Sequence, residues 1–221
     1  NLSESSISYY HWNLKPFFDY LSNSGINDVD SICSNTVNVY ILLLKQKCNN
    51  SVTINTRLKA TRVFLYYCMR EGYLQPFKIH LIKQEEKVIE TYSDTDIQKL
   101  IAKPNLKKCS FVEYRNWVMI NYFIETGNRL RSVLNIKVGD VKFEEHRVIV
   151  RVTKNREPLI TPLTKTLLTI LPTYIQVWGL KDDSYLFPAV TGERINENSL
   201  EQSIVRYNHK RGVKITSIHA F

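Results

Sequence analysis

The chain has 221 residues, enough for one large domain or two small ones, and 43% of them are hydrophobic, enough for a buried core. A formal charge of +9 and a pI near 9.3 point to an anionic partner, nucleic acid first, although charge alone leaves a merely basic surface open. No apolar run reaches the roughly 18 residues of a membrane span, and no secretory leader is recognisable. Cys33, Cys48, Cys68 and Cys109 form no Cys-x-x-Cys pair, and no His stands at zinc-ligand spacing from any two of them. Reduced thiols, a cytoplasmic setting and no metal or cofactor are therefore expected.

In chain order, Ser3 to about Gly25 is helical, with Ile7, Tyr10, Leu14, Phe17, Phe18 and Leu21 at helical spacing and Ser3 as a cap. Pro16 should kink this helix or divide it. A second helix runs from about Thr36 to Lys47, with Val37, Tyr40, Ile41 and Leu44 on one face. A third spans about Ser51 to Glu71, capped by Ser51 or Thr53 and ended by Gly72. Along it, Ile54, Leu58, Leu65 and Met69 can face a core. Arg57, Lys59, Arg62 and Arg70 bring positive charge to a stretch, 51 to 70, with no acidic residue. Such a stripe is usually a solvated face; its single sign favours phosphate contact, so Arg57, Lys59 and Arg62 are candidate DNA-binding residues.

Residues 78 to 92 lack helical periodicity and alternate in charge, which reads as a linker. The expected division is 1–86 as a helical domain, 87–92 as linker and 93–221 as a second domain. Residues 1–90 hold 10 basic and 8 acidic side chains against 20 and 13 in 91–221, so the second part carries most of the attraction for an anion. It opens with a helix capped by Ser93 and Asp96. Phe111 to Thr126 is helix, Arg129 to Ile136 a short helix and 138–141 a turn. Lys142 to Val152 and Pro158 to Leu163 read as strands, with Val148, Val150 and Val152 alternating against Arg147, Ile149 and Arg151. Thr164 to Val177 is helical but broken at Pro172, Leu186-Phe187-Pro188 is a buried turn, and Asn198 to Arg211 is a helix stopped by Gly212. The fold class is mainly α with a small antiparallel β-sheet.

The most informative stretch is Thr126-Gly127-Asn128-Arg129-Leu130-Arg131, set between the apolar runs Trp117–Ile124 and Val133-Leu134-Asn135-Ile136. A Thr-Gly break allows a tight turn, and Arg129 then starts the next helix on a stiff scaffold, where a guanidinium can grip a phosphate through two parallel bonds. Alone, Thr-Gly-x-Arg is a weak motif and a solvated Arg the better reading. Its weight comes from three segments further along the chain: Thr153-Lys154 on the strand pair, Thr191-Gly192-Glu193-Arg194, and Thr216-Ser217-Ile218-His219-Ala220-Phe221.

This order of segments resembles the tyrosine recombinases, the lambda-type integrases, over nearly the whole chain. The resemblance implies a helical, SAM-like core-binding domain followed by an α+β catalytic domain. It implies catalytic roles for Arg129, Lys154 and His219, a 3′-phosphotyrosyl intermediate, double-stranded DNA as substrate, and a homo-tetramer on paired sites. Two departures stand out. Ser132 occupies the position three after Arg129 that is usually acidic. The chain stops at Phe221, before the second Arg and the nucleophilic Tyr of the family; all 13 tyrosines precede His219. The sequence is accordingly read as a piece of a longer protein that breaks and rejoins DNA, an integrase of a mobile element acting at the nucleoid. A non-catalytic DNA-binding protein derived from a recombinase is the alternative, favoured by Ser132 and the missing Tyr; a basic helical scaffold for protein partners is a third.

Cleaving a phosphodiester without metal needs charge stabilisation at the non-bridging oxygens, a proton for the leaving 5′-oxygen, and a nucleophile. Arg129 suits the first and Lys154 the second, although a Lys near phosphate is often only an electrostatic contact. His219 can donate to a phosphate oxygen or relay a proton. A lone His is more often structural, and only its place in the family segment reverses that. His11, His80, His146 and His209 have no such setting.

Overall fold

The computed structural model describes residues 2–48, 50–84, 91–153, 157–214 and 217–218. The chain divides into two compact units, 1–87 and 88–221.

The first unit is built on α1 (Glu4–Asn23), α2 (Ser34–Lys47) and α3 (Ser51–Arg70). Their shared core contains Phe17, Val37, Tyr40, Leu44, Ile54, Leu58 and Leu65. Ser3 caps α1, its hydroxyl accepting from the Ser6 N–H at 3.2 Å. Of the two expectations for Pro16, the division into two helices is not met: α1 passes through it as one helix. A proline removes one backbone bond, and Phe17 and Leu21, buried just beyond it, hold the helix together. Only those two residues of the expected apolar face are buried; Ile7 and Phe18 are exposed, as are Tyr9 and Trp12. The cap of α3 is also corrected: Asn50, ahead of Ser51, accepts from the N–H groups of Val52 (2.9 Å) and Thr53 (3.4 Å). Gly72, at φ +78°, ends α3 as expected, in the left-handed region where only glycine is unstrained.

Residues 79–84 are not a free linker. They run back along α3: Ile79 N–H donates to the Tyr66 hydroxyl, Asn55 bonds both the N–H and the carbonyl of Ile82 (3.0 and 2.9 Å), and Gln84 donates to the Ser51 carbonyl. Asn55 thus satisfies a strap that has no strand to pair with.

The second unit is organised around α5 (Phe111–Thr126), buried at ten consecutive positions from Tyr114 to Phe123. Against it pack α4 (Asp94–Ile101), α7 (Lys165–Val177) and α8 (Glu197–Lys210). Ser93 caps α4, as expected. Helix α7 continues through Pro172, contrary to the expected break, because Leu167, Leu171 and Tyr174 are buried on both sides of it. The short helix α6 (Leu130–Val133) leads to a three-stranded antiparallel sheet, β1 (Val141–Lys142), β2 (Arg147–Val150) and β3 (Leu159–Pro162), in the order β1-β2-β3.

The long strand expected from Lys142 to Val152 is instead two strands joined by a turn. His146 takes φ 50°, its N–H meets the Phe143 carbonyl, and Glu145 pairs with Arg147. That turn lacks the usual Gly or Asn, so composition did not announce it. Val148 and Val150 are fully buried, whereas Val152 lies beyond the strand and is exposed. Leu186, Phe187 and Pro188 are buried, as expected.

Asn55→Ala would leave the Ile82 backbone groups without their partner. The first unit should lose roughly 1–3 kcal/mol, read from urea unfolding.

Candidate active site

Arg129 stands where two pinned elements meet. Helix α5 ends at Thr126, whose hydroxyl donates to the Tyr122 carbonyl at 2.7 Å. Gly127 turns at φ +60°, its N–H bonding the Phe123 carbonyl at 2.8 Å. Arg129 itself is extended (φ −67°, ψ 141°), and its carbonyl accepts from Ser132 and Val133 to start α6. Leu130, Val133 and Leu134 sink into the core on the far side. The Arg129 side chain is left exposed, and among the described residues its guanidinium has no hydrogen-bond or ion-pair partner. A fixed backbone carrying a free, permanently charged fork is suited to receiving a phosphate.

Lys154 and His219 lie outside the described residues, so their approach to Arg129 is not on view. The segments that lead to each are. Lys154 follows β2 in a connection whose two sides are held together: the Thr153 hydroxyl donates to the Glu157 carbonyl at 2.6 Å. Arg151 donates to the Asp140 carboxylate at 2.6 Å, and the other carboxylate oxygen takes the Lys137 N–H. Asp140 is buried and tied to the backbone, so it is a firm anchor for the end of β2.

The approach to His219 is held by a residue from the start of the unit's sequence. The Tyr92 hydroxyl donates to the Ser217 carbonyl at 3.0 Å and accepts from Asn208 at 2.9 Å, while Ile218 is buried. Ser132, where an acidic residue was expected by resemblance, is buried, with its N–H on the Arg129 carbonyl. The Thr191–Arg194 turn is drawn to this region too, since Arg194 donates to Asn135 just after α6.

The candidate DNA-binding residues do not form one set. On a helix with 3.6 residues per turn, Arg57 and Lys59 point about 160° apart, whereas Lys59 and Arg62 share a side with Tyr66 and Arg70. Arg57 instead lines a recess with Tyr20, Tyr40, Leu44 and Lys47. The strap lies along the Lys59–Arg62 side and adds the exposed cations Lys78 and Lys83. Sequence reasoning did not place Lys78 and Lys83 beside Lys59 and Arg62; the available signal was Asn55 and Tyr66, polar groups at helical spacing with Lys59 and Arg62.

A second miss is Arg115, 2% exposed inside α5 and without a carboxylate partner among the described residues. It donates to the Pro188 carbonyl at 2.7 Å, to Asn116 and to Ser203, and it lies over the Phe111 ring. Burial pulls its pKa down. It joins α5 to α8 and to the 186–188 turn, and faces the interior. Among the described residues no group of three His, Cys, Asp or Glu side chains is placed to hold a metal ion, and no helix is long and apolar enough to cross a membrane.

Burial pushes the Tyr122 phenol up to about 12, against the opposing pull of Asn128 and Thr126. The fold therefore favours the protonated phenol. That contribution is complete below the ordinary value near 10 and fades as pH rises through about 12. Stability of the second unit should fall across this window, and Tyr122→Phe should make the fall shallower in denaturant titrations at each pH.

The sequence pattern of the phage integrase family matches residues 90–221, and that of the phage integrase N-terminal SAM-like domain matches residues 1–72. Tyrosine recombinase XerD of Staphylococcus epidermidis is 25% identical over 223 residues, covering 97% of this chain and 75% of the relative. Tyrosine recombinase XerC of Oceanobacillus iheyensis is 23% identical over 179 residues, covering 80% and 58%. Among solved structures, XerH site-specific recombinase bound to a palindromic difH substrate, a post-cleavage complex, superposes with TM-score 0.76 at 17% identity, over 97% of this chain and 66% of that one. A lambda integrase dimer bound to a COC' core site gives 0.74 at 10% identity, over 100% and 80%. The likeness in structure extends the agreement in sequence to the fold: the chain belongs to the phage integrase family, the tyrosine-type site-specific DNA recombinases.

Proposed function

We propose that Arg129, Lys154 and His219 carry the phosphodiester chemistry of this recombinase, and that the first unit helps to hold the duplex. The observation that carries the reading is Arg129: an exposed guanidinium, without a partner among the described residues, on a turn fixed by α5 on one side and α6 on the other. It binds two non-bridging oxygens of the scissile phosphate and stabilises the charge that builds there during attack. Lys154, on the connection between β2 and β3, gives its proton to the departing 5′-oxygen. His219 donates to a phosphate oxygen or relays a proton. The nucleophile is the tyrosine that the family resemblance implies beyond His219; none of the 13 tyrosines of this chain is assigned that role. The 3′-phosphotyrosyl bond conserves the energy of the phosphodiester, so religation needs no nucleotide cofactor.

Double-stranded DNA is the substrate. Relatives in fold have been captured on it, among them a lambda integrase tetramer bound to a Holliday junction, and a tetramer on paired sites is the assembly proposed here. The protein acts in the cytoplasm at the nucleoid, in integration and excision of a mobile element. On the first unit, Lys59 and Arg62, with Lys78 and Lys83 from the strap, form the phosphate-contacting side, and Arg57, facing the recess on the other side of α3, makes a separate and weaker contact with the DNA.

In the full-length protein, Arg129→Ala should keep DNA affinity and lose about 100- to 1,000-fold in cleavage rate, measured on a substrate that traps the covalent complex. Lys154→Ala should do the same, with the rate restored when the leaving oxygen is replaced by a better leaving group. Undiminished cleavage in either variant removes that residue from its role; binding without cleavage in the parent protein would favour a non-catalytic DNA binder.

The logarithm of the DNA association constant should fall linearly with the logarithm of salt concentration, with a slope of about −0.9 per phosphate neutralised. The double change Lys59→Ala/Arg62→Ala should make that slope shallower in a salt series, and Arg57→Ala should do so to a smaller extent.

A further inference from the structure

Three hydrogen bonds converge on the side-chain amide of Asn128, the residue directly before Arg129. Its Nδ2 donates to the Tyr122 hydroxyl at 3.0 Å and to the Thr161 hydroxyl at 3.1 Å, and its Oδ1 accepts from the same Thr161 hydroxyl at 3.3 Å. Thr161 is the only buried residue of β3; Leu159, Ile160 and Pro162 are exposed. A strand with one face against a core ordinarily turns an apolar residue inward. Here the inward residue is a hydroxyl, and it is used to hold Asn128.

The placement of this contact gives it meaning. β3 pairs with β2 in the register Val148 opposite Thr161, and the connection between these two strands carries Lys154. Asn128 is fixed at its other side by its own N–H on the Thr126 hydroxyl and by Tyr122, which is fully buried in α5. Among the described residues, Asn128 with Thr161 is the only side-chain hydrogen-bonded link between the turn at 126–131 and the strand pair. Consecutive Cα atoms are about 3.8 Å apart, so whatever fixes Asn128 fixes where the Arg129 side chain starts.

We infer that Asn128 and Thr161 are a positioning pair for the recombination chemistry, setting the start of the Arg129 side chain relative to the β2–β3 strand pair. The inference rests on the roles proposed for those two residues. Neither Asn128 nor Thr161 touches the phosphate; they act through Arg129. A misplacement of about 1 Å between reacting groups is enough to cost about 100-fold in rate.

The test uses Thr161→Val, which keeps the shape and removes the hydroxyl, beside Thr161→Ser, which keeps the hydroxyl, in the full-length protein. Thr161→Val and Asn128→Ala should each slow cleavage of saturating DNA roughly 10- to 100-fold, with affinity for DNA within about twofold of the parent. The double variant should be no slower than the slower single one, because both remove the same link. Thr161→Ser should recover most of the rate, and adding Thr161→Val to Arg129→Ala should change cleavage no further. A general loss of packing would instead weaken binding, and would slow Arg129→Ala further. Wild-type cleavage in Thr161→Val beside an inactive Arg129→Ala overturns the positioning pair alone. An Arg129→Ala protein that cleaves normally overturns the underlying assignment, and the pair with it. A Thr161→Ser rate as low as that of Thr161→Val also overturns the inference, since the hydroxyl would then not be the cause.

Discussion

Helix α5 is buried on all sides from Tyr114 to Phe123, and the arrangement of the second unit follows from that burial. A helix with no solvent face cannot rotate or slide without breaking packing at every level. Its end at Thr126 is therefore a fixed point, and the left-handed Gly127 converts it into a fixed direction. Arg129 inherits both. Its guanidinium can stay exposed, with no partner among the described residues, because its backbone is fixed independently of what the side chain binds.

Two arginines on the same stretch show how environment divides one chemistry into two uses. Arg115, buried and bonded to the Pro188 carbonyl, Asn116 and Ser203, spends its donors on protein groups and ties α5 to α8. Arg129, fourteen residues on, is exposed, and its guanidinium has no partner among the described residues. A buried cation without a carboxylate is tolerated when its donors are satisfied and an aromatic face, here Phe111, covers it. The same logic separates Arg57 from Lys59 on α3: two residues apart in sequence, they face different surroundings because a helix turns about 100° per residue.

Much of the architecture was legible because it rests on local rules. The limits of α3, α5 and α8 follow from caps and glycines, and the valines of β2 follow from strand alternation. The misreadings have one physical origin. Pro172 read as a break and Pro16 as a kink or a junction, but packing of Leu167, Leu171 and Tyr174 around the one, and of Phe17 and Leu21 beyond the other, kept both helices whole. The Phe143–His146 turn has no glycine to mark it, and it is held by a backbone bond that composition does not encode. The strap at 79–84 read as linker because its partner is the side chain of Asn55, 27 residues earlier.

By itself, the sequence determined the class of fold, the two-part division of charge, and the order of segments that marks the family, all of which are set by residue type and short-range spacing. Only the tertiary structure decided which cations share a surface, that Arg115 turns inward while Arg129 stays free, and that Asn128 is joined to Thr161. Those outcomes depend on contacts between residues distant in the chain. Whether a polar side chain is satisfied inside or left for a ligand is settled by which neighbour the folded core brings within hydrogen-bond reach.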